Sequence, residues 1–441
     1  MEQSTARTAH GWRSFVDLRP GEGVSLIASG LYFFLVLGSY YTLRPVREAV
    51  GIERGYDNLP WLMTATLGAM LLVNPLFAWL VSRVPRRVFI PATHRFFATN
   101  VVLMGGMFLL LDDHARVWLG YVFYVWLSVF NLFVISLFWA FMTDAWGREA
   151  GGRLFGAIGV GGTLGAMAGA AFTQHLARDL HTGVLMLASA VLLECGVWAM
   201  RWVARARGSI ITSSARSERE PGPGMLAGLR LVVTSRYFAL ICLYMLVFTT
   251  TQTFVYLEQG RIVEAAYPDR AARTAAFASL DFWTNTLTLL VQLFLTGRLI
   301  RWLGIGGTLC IMPAVTLLGF VALWLVGSRG EGAGSGEVTR TVFLTLFVFQ
   351  VVRRSSQYAV ARPTRELLFT GVSPDARYKA KTAIDTFVYR AGDMMGAWLP
   401  GVLGLAGGAL GMVAGGLCLG WMGVAGGVGA MRKRLDSGRN I

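Results

Sequence analysis

The stretch Leu399–Met431 reads LPGVLGLAGGALGMVAGGLCLGWMGVAGGVGAM and contains no charged residue. An apolar run of about 18 residues or more is long enough to cross a bilayer as a helix. The preceding stretch, Tyr378–Trp398 (YKAKTAIDTFVYRAGDMMGAW), carries five charged residues: Lys379, Lys381, Asp385, Arg390 and Asp393. A fold for this chain has to explain why charges continue directly into a spanning run.

Apolar runs of this kind recur along the whole chain. Of its 441 residues, 54% are hydrophobic and 15% are charged, whereas roughly a quarter of the residues in a soluble domain are charged. The composition therefore predicts a membrane protein with many spans. The 4 cysteines each stand alone in an apolar run and the 5 histidines have no ligand spacing, so we predict no metal and no cofactor.

A window of about 19 residues predicts twelve spans in two groups of six. A linker at 204–236, rich in Arg, Ser, Gly and Pro, separates an N-terminal half, 1–203, from a C-terminal half, 237–441. The predicted spans are 24–46, 59–82, 88–111, 117–143, 154–177 and 182–203, then 237–258, 275–297, 303–327, 340–361, 381–402 and 407–430.

Lys and Arg are concentrated on one side of this arrangement, in the two tails, the linker and the loops that share their side. The positive-inside rule then places both termini in the cytoplasm. The net charge of +15 therefore indicates membrane orientation, and we expect no nucleic-acid partner. An all-α membrane protein with twelve helices in two such halves has the major facilitator plan.

Gly161, Gly165 and Gly169 recur at four-residue spacing in the fifth predicted span. Small residues at this spacing let two helices pack closely in a membrane. A phosphate-binding loop would need a following Gly-Lys-Ser/Thr, which is absent from this stretch. We therefore predict a helix-packing groove.

The first predicted span contains ionisable residues, although each costs roughly 2.5–3.5 kcal/mol at the bilayer centre. Tyr40, Arg44, Arg47 and Glu48 share one helical face. Pro45 should kink the helix at this point. The face lines a cavity or is simply the outer end of the helix, and both interpretations remain open.

Polar side chains also follow one face of the seventh and eighth predicted spans. They are Gln252, Tyr256 and Gln259 in the seventh, and Asp281, Asn285, Thr288 and Gln292 in the eighth. Such a stripe lines a water-filled cavity or forms a seam of hydrogen bonds between helices. The unbroken spacing in the eighth span favours cavity lining.

The tenth and eleventh predicted spans carry the deepest charges. Arg353 and Arg354 lie about 20 Å from the predicted outer end of the tenth span, too deep for both to reach the membrane surface. The eleventh span contains Asp385, Tyr389 and Asp393 at four-residue steps, with Arg390 between the last two. A structural ion pair would also explain Arg390 and Asp393. Together these groups favour a cationic cavity for an anion, because guanidinium groups bind carboxylate and phosphate bidentately.

Three stretches carry a resemblance to a known family. They are YYTLRPVREAVGI (40–52), FWAFMTDAWGREAGGRLFGAIGVGGTLGAMAG (138–169) and RPTRELLFTGVSPDARYKAKTAIDTFVYRAGD (362–393). In sequence and order they resemble the ATP/ADP translocase family, a distant branch of major facilitator transporters found in plastids and intracellular bacteria. The resemblance covers essentially the whole chain.

The resemblance implies nucleotide transport and places Arg47 where the family has a substrate-binding lysine, with Glu48 as its acidic neighbour. Three positions depart from the family pattern. The acidic residue expected in the fourth span is Leu127, the one expected early in the eighth falls near Thr274, and a lysine expected in the eleventh is Asp393. These departures predict weak or no ATP/ADP exchange.

We therefore predict a secondary transporter, not an enzyme, that moves an organic anion (a nucleotide, another phosphate ester or a carboxylate) by alternating access. It would be a monomeric multi-pass protein of a bacterial cytoplasmic membrane, with the lipid bilayer and a small anion as partners. The alternatives are an exporter of siderophore-like or drug-like compounds and, in another class, a transport-inactive scaffold or sensor.

The candidate site residues fall into three groups. The substrate-binding candidates are Arg44, Arg47, Glu48, Gln252, Tyr256, Asn285, Arg353, Arg354, Tyr389 and Arg390. The coupling or ion-pair candidates are Asp281, Asp385 and Asp393. The candidates for a cytoplasmic gate, within the stretches that carry the resemblance, are Asp144, Arg148, Arg153, Arg365, Glu366 and Lys381.

Overall fold

The computed structural model describes residues 18–84, 86–207, 234–328, 335–370, 372–405 and 408–437. Every regular element within these ranges is helical. The predicted all-α class is therefore confirmed for the part of the chain that the structure describes. Most of the predicted linker, 204–236, lies outside the described residues.

The helices follow the predicted spans closely. Before the predicted linker they are α1 (Glu22–Gly51), α2 (Leu59–Arg83), α3 (Arg86–Leu110), α4 (Asp113–Gly147), α5 (Glu149–Leu176) and α6 (Thr182–Ala206). After it they are α7 (Arg236–Ala266), α8 (Arg270–Phe294), α9 (Thr296–Ser328), α10 (Ser335–Ser356), α11 (Arg362–Leu368), α12 (Pro374–Ala383), α13 (Tyr389–Val402) and α14 (Gly408–Asp436). Two π-helical segments, Gln357–Ala361 and Ile384–Val388, join α10 to α11 and α12 to α13.

Within the described ranges, 8 helical segments are long and apolar enough to cross a membrane. They include most of α1, α2, α4, α5, α6, α7, α9 and α14, which is the pattern of a multi-pass membrane protein. The helices α3, α8 and α10 carry charged residues that lower their hydropathy, and α13 is short. The count of twelve spans and the side that each terminus faces therefore stay predictions.

Contacts divide the chain into two units. The first contains Met1–Val50, Gly68–Arg219 and Thr274–Phe282, and the second contains Gly51–Leu67, Glu220–Arg273 and Trp283–Ile441. Helices α2 and α8 each contribute residues to both units. The predicted halves, 1–203 and 237–441, stay a prediction.

In the first unit, α5 packs closely on α1 through the predicted glycine groove. A Cβ atom at Gly161, Gly165 or Gly169 would overlap the backbone of α1. Only glycine allows two helix backbones to approach this closely. The packing role predicted for this spacing is confirmed.

A single glycine turns the chain between α4 and α5. Gly147 has φ 66° and ψ −178°, a conformation that glycine adopts readily and that residues with a Cβ atom rarely adopt. The two helices therefore follow each other without a loop. Gly304 makes the same kind of bend inside α9, with φ 66° and ψ 178°.

In the second unit, α7 and α13 pack so closely that two glycines are required. A Cβ atom at Gly392 would collide with the side chain of Thr249, and one at Gly396 would collide with Thr253. This contact brings α13, which carries Tyr389, against the polar face of α7.

Candidate functional site

Arg44 on α1 forms an ion pair with Asp281 on α8, inside the first unit. Its Nη1 donates to Oδ1 of Asp281 at 2.7 Å. Asp281 is only 2% exposed, whereas 18% of the Arg44 side chain is accessible. Because a buried carboxylate needs a compensating charge, Asp281 depends on this guanidinium.

Arg47 contacts Glu48 and Tyr124 within the first unit. Its Nη1 donates to Oε1 of Glu48 at 3.0 Å and its Nε donates to the carbonyl of Tyr124 at 3.1 Å. The guanidinium carbon also lies 3.9 Å from the centroid of the Tyr124 ring, which is a cation–π contact. Since Glu48 is buried, Arg47 neutralises a carboxylate inside the protein.

Between Arg44 and Arg47 the chain continues as one helix, α1, through Pro45.

In the second unit, α13 meets α7 through polar side chains. Nε2 of Gln252 donates to the hydroxyl of Tyr389 at 3.2 Å. Nη1 of Arg390 lies 3.6 Å from Oδ2 of Asp393, so these residues form an ion pair. Tyr389 interacts electrostatically with Asp393, Arg390 and Tyr358. We call Gln252, Arg353, Tyr358, Tyr389, Arg390 and Asp393 the central polar cluster of the second unit.

Arg353 on α10 is the most deeply buried cation of this cluster. It is 2% exposed, and its Nε and Nη2 have no hydrogen-bond partner among the described residues. Its electrostatic neighbours are Arg354, Tyr358, Tyr389 and Cys418, none of which is a carboxylate. A buried donor left without an acceptor costs about 1–3 kcal/mol. Among the described residues, no hydrogen bond to Nε or Nη2 offsets this desolvation cost.

Asp385 does not continue the buried face of Tyr389 and Asp393, although the sequence places the three at four-residue steps. It lies in the π-helical segment Ile384–Val388. A π turn bonds residue i to i+5, so four-residue spacing no longer gives a single face there. Asp385 is exposed and pairs instead with Nη1 of Arg365 at 3.2 Å.

The gate candidates of the second unit form a connected set of ion pairs between α11 and the α12 region. Nζ of Lys381 donates to Oε2 of Glu366 at 2.7 Å, and Nη2 of Arg365 lies 3.8 Å from Oε1 of Glu366. The Glu366 side chain is half exposed. Exposed ion pairs stabilise a protein by less than about 1 kcal/mol, so such contacts break and re-form easily.

The gate candidates of the first unit lie on either side of Gly147. Nη2 of Arg153 on α5 donates to Oε1 of Glu22 on α1 at 3.0 Å. Asp144 is half-buried near the end of α4. The side chain of Arg148 lies outside the described residues. Glu22, which was not a sequence candidate, thus binds one of the gate arginines.

Arg207, just after α6, is a further residue that the sequence did not single out. Its Nε donates to the carbonyl of Ala145 at 2.8 Å, and its guanidinium lies 3.8 Å from the Trp146 ring centroid. Partial burial lowers the pKa of the Arg207 guanidinium, while the charge of Glu22 raises it. Arg207 therefore fixes the end of α4, next to Gly147.

The other predicted binding residues occupy the expected helices. Tyr256 and Arg354 are half-buried on α7 and α10, and Asn285 is buried on α8. Gln350, which the sequence did not single out, donates through Nε2 to Oε1 of Gln259 at 2.5 Å. That pair joins α10 to α7 one helical turn before Arg353.

The loops after α1 and α7 hold contacts that have no periodic signal in the sequence. Arg270 forms an ion pair with Glu53. Arg273 donates to the carbonyl of Tyr267 at 2.7 Å and to that of Ile52 at 3.0 Å. All of these residues belong to the second unit, so α8 begins against the segment that follows α1.

The departures from the family pattern have a clear structural context. Leu127 is fully buried in the apolar core of the first unit. Thr274 is buried near the start of α8. At Leu127 an apolar side chain thus takes part in packing where an acid would need a buried partner.

In the part of the chain that the structure describes, no three His, Cys, Asp or Glu side chains are grouped to hold a metal.

The family model described as "TLC ATP/ADP transporter" matches residues 61–414. ADP,ATP carrier protein 1 of Chlamydia pneumoniae is 22% identical over 314 residues, which cover 64% of this chain and 60% of that protein. The chloroplastic ADP,ATP carrier protein 1 of Arabidopsis thaliana is 21% identical over 432 residues, covering 87% of this chain and 69% of the relative. The chain thus spans about 60% of the length of the chlamydial relatives.

Solved transporters share the fold. A mutant of the nucleoside transporter NupG superposes with a TM-score of 0.60 at 12% identity, covering 93% of this chain and 99% of the other. The peptide transporter POT in complex with alafosfalin gives a TM-score of 0.64 at 14% identity, with coverage of 95% and 98%. At such low identity the likeness concerns the fold alone.

Proposed function

The chain belongs to the TLC ATP/ADP transporter family, and on that premise we propose that it is a secondary transporter of an organic anion. The anion is a carboxylate or a phosphate ester with fewer charges than ATP, and transport proceeds by alternating access. We place the protein in a bacterial cytoplasmic membrane, as a monomer of two six-helix halves with both termini in the cytoplasm.

The observation that carries this proposal is the balance of arginines and carboxylates on α1, α8, α10 and α13. In three pairs an arginine meets a carboxylate: Arg44 with Asp281, Arg47 with Glu48, and Arg390 with Asp393. Within each pair the positive charge of the arginine is balanced by the negative charge of the carboxylate. Arg353 adds a buried cation with two donors that the described protein does not satisfy. A cationic excess of this kind, inside a transporter fold, suits an anionic substrate.

Asp393 supports the restriction to weakly charged anions. At an effective dielectric of about 20, two unit charges about 4 Å apart interact by roughly 4 kcal/mol, so an aspartate repels each phosphate charge brought near it. The ion pair with Arg390 cancels much of this repulsion. A ligand with one or two charges therefore fits better than a nucleotide triphosphate.

The exposed ion pairs support a gating role. Arg365 with Asp385 and Lys381 with Glu366 are partly exposed contacts, which break at little cost. Under this proposal they close the predicted cytoplasmic side in one state and separate in the other. Among the gate candidates of the first unit, Arg153 pairs with Glu22, and this contact is more buried than the other two.

The test is uptake by purified protein in proteoliposomes. The panel contains labelled phosphate monoesters, mono- and dicarboxylates, ADP, ATP and a neutral siderophore-like compound. We expect saturable uptake of at least one singly or doubly charged anion and little ATP/ADP counterflow. Strong ATP/ADP counterflow would contradict the proposed substrate class. Uptake of the neutral compound alone would favour the exporter, and a folded protein without any uptake would favour the scaffold or sensor.

A further inference from the structure

The two unsatisfied nitrogens of Arg353 lie on one edge of its guanidinium. The Nε–H and one N–H of Nη2 are parallel and point the same way, in the geometry that grips both oxygens of a carboxylate or phosphate. Neither nitrogen has an acceptor among the described residues, and the residue is 2% exposed. Among the described residues, no protein acceptor therefore bonds to either nitrogen of this edge.

Other buried arginines of the same unit are anchored differently. Arg273 is also buried, and it donates through Nε and Nη1 to the carbonyls of Tyr267 and Ile52. Arg432 is likewise buried and donates through Nη1 to the carbonyls of Leu368 and Thr370. Carbonyl anchoring is thus available in this unit to an arginine whose role is packing. Arg353 differs from both in the edge that it leaves unbonded.

The side chains around Arg353 include tyrosines, and no carboxylate is among its electrostatic neighbours in the described protein. Tyr358 and Tyr389 are its electrostatic neighbours. Asp393, which belongs to the same cluster, is engaged with Arg390. A further polar atom of the cluster is unsatisfied: Oε1 of Gln252 is buried without a hydrogen-bond donor in the described protein, while its Nε2 bonds Tyr389.

We propose that the Nε–Nη2 edge of Arg353 is an oxyanion subsite, which binds one carboxylate or phosphate group of a ligand side-on through two hydrogen bonds. The ligand also carries a hydroxyl or amino donor that bonds Oε1 of Gln252. This inference rests on the proposed function in that the ligand is the transported anion. It narrows the substrate class to a hydroxylated or aminated organic anion recognised through a single oxyanion group.

The test is ligand-dependent melting of the full chain in a maltoside detergent without added lipid, so that no lipid phosphate competes. The probes are glycolate against acetate, and glycerol 3-phosphate against propyl phosphate, each at an ionic strength matched with sodium chloride. We expect a saturable rise in Tm, larger for the hydroxylated member of each pair. The pair of probes that gives the larger rise in Tm shows whether the subsite prefers a carboxylate or a phosphate.

Arg353→Lys keeps the charge and removes the bidentate edge. We expect it to weaken probe binding by about tenfold or more, as the loss of a charge-assisted hydrogen bond does, and to leave the Tm without ligand nearly unchanged. Arg273→Lys is the matched control, because it is the same substitution at a buried arginine whose donors are satisfied. It should lower the Tm without ligand and leave probe binding intact.

The inference would be overturned by an unchanged probe affinity in Arg353→Lys, or by the absence of any saturable shift in the natural sequence. A fall in Tm without ligand as large as that of Arg273→Lys would also contradict it, since it would show a packing role. Proteoliposome uptake separates the two proposals. Uptake that does not depend on Arg353 refutes the subsite alone, whereas Arg353-dependent binding without uptake refutes the transport function alone.

Discussion

Replacing Arg44 with alanine should destabilise the protein chiefly through Asp281. The two atoms that pair are 2.7 Å apart, and at an effective dielectric of about 20 two charges at that distance attract by about 6 kcal/mol, which is an upper bound. Partial exposure of Arg44 reduces this value. Removing one partner of a buried pair costs about 3–5 kcal/mol, and we expect about 3 kcal/mol here.

The double substitution should be much milder than the sum of the single ones. Asp281→Ala alone leaves a partly exposed guanidinium, which reaches water more easily, so we expect it to cost about 2 kcal/mol. Removing both charges should cost about 3 kcal/mol rather than about 5, which corresponds to a coupling of about 2 kcal/mol between the two positions.

The measurement is thermal melting of the four variants in one detergent. At about 2 °C per kcal/mol for a large chain, Arg44→Ala should lower the Tm by about 6 °C, and adding Asp281→Ala should lower it little further. Arg95 and Glu194 give a matched control, because their atoms are 2.8 Å apart but the side chains are 46% and 38% exposed. Arg95→Ala should barely change the Tm. Strictly additive losses at Arg44 and Asp281 would refute the argument.

Three further predictions follow from other contacts. Arg47→Ala should lower the Tm because it removes the guanidinium that lies 3.0 Å from the buried carboxylate of Glu48. Adding Glu48→Gln should restore the Tm but not uptake. Restored uptake would contradict a binding role for Arg47. Gly165→Ala should cost at least about 1–3 kcal/mol and reduce expression, because its Cβ would overlap the α1 backbone; Gly159→Ala, with open space at its Cβ, is the control and should be neutral. Asp393→Lys should raise nucleotide binding measured by competition, and an unchanged or lower affinity would count against the charge argument.

The sequence predicted the helical segments well because their signal is strong and local. Each of α1 to α10 matches a predicted span, since long apolar runs have few alternatives in a chain of this composition. The spacing of three glycines predicted that α5 packs closely on another helix, and the structure identifies that helix as α1. The bend at Gly147 was not predicted, because one residue with positive φ leaves no pattern around it.

The site was harder to predict, because its contacts join distant parts of the chain. Helical spacing correctly put Arg390 within reach of Asp393, three residues later. Spacing alone gave no partner for Arg44, which meets Asp281 from a helix far along the chain. It also put Asp385 on the face of Tyr389, since a periodicity argument assumes α-helical geometry throughout. The unsatisfied edge of Arg353 could only be seen from the structure.

The two π-helical segments, Gln357–Ala361 and Ile384–Val388, also bear on how the chain tolerates changes in length. A π turn accommodates one residue more than an α turn, so each segment holds one residue more than a regular α-helix would need there. Deleting one residue from such a segment would restore an ordinary turn and leave the helical faces on either side nearly in register. In the first segment the deletion would therefore keep Arg353, Arg365 and Glu366 close to their present faces. The same loss within the middle of α7 would instead rotate everything beyond it by about 100° and misalign a tightly packed face, so within the described residues these two segments tolerate shortening better than α7.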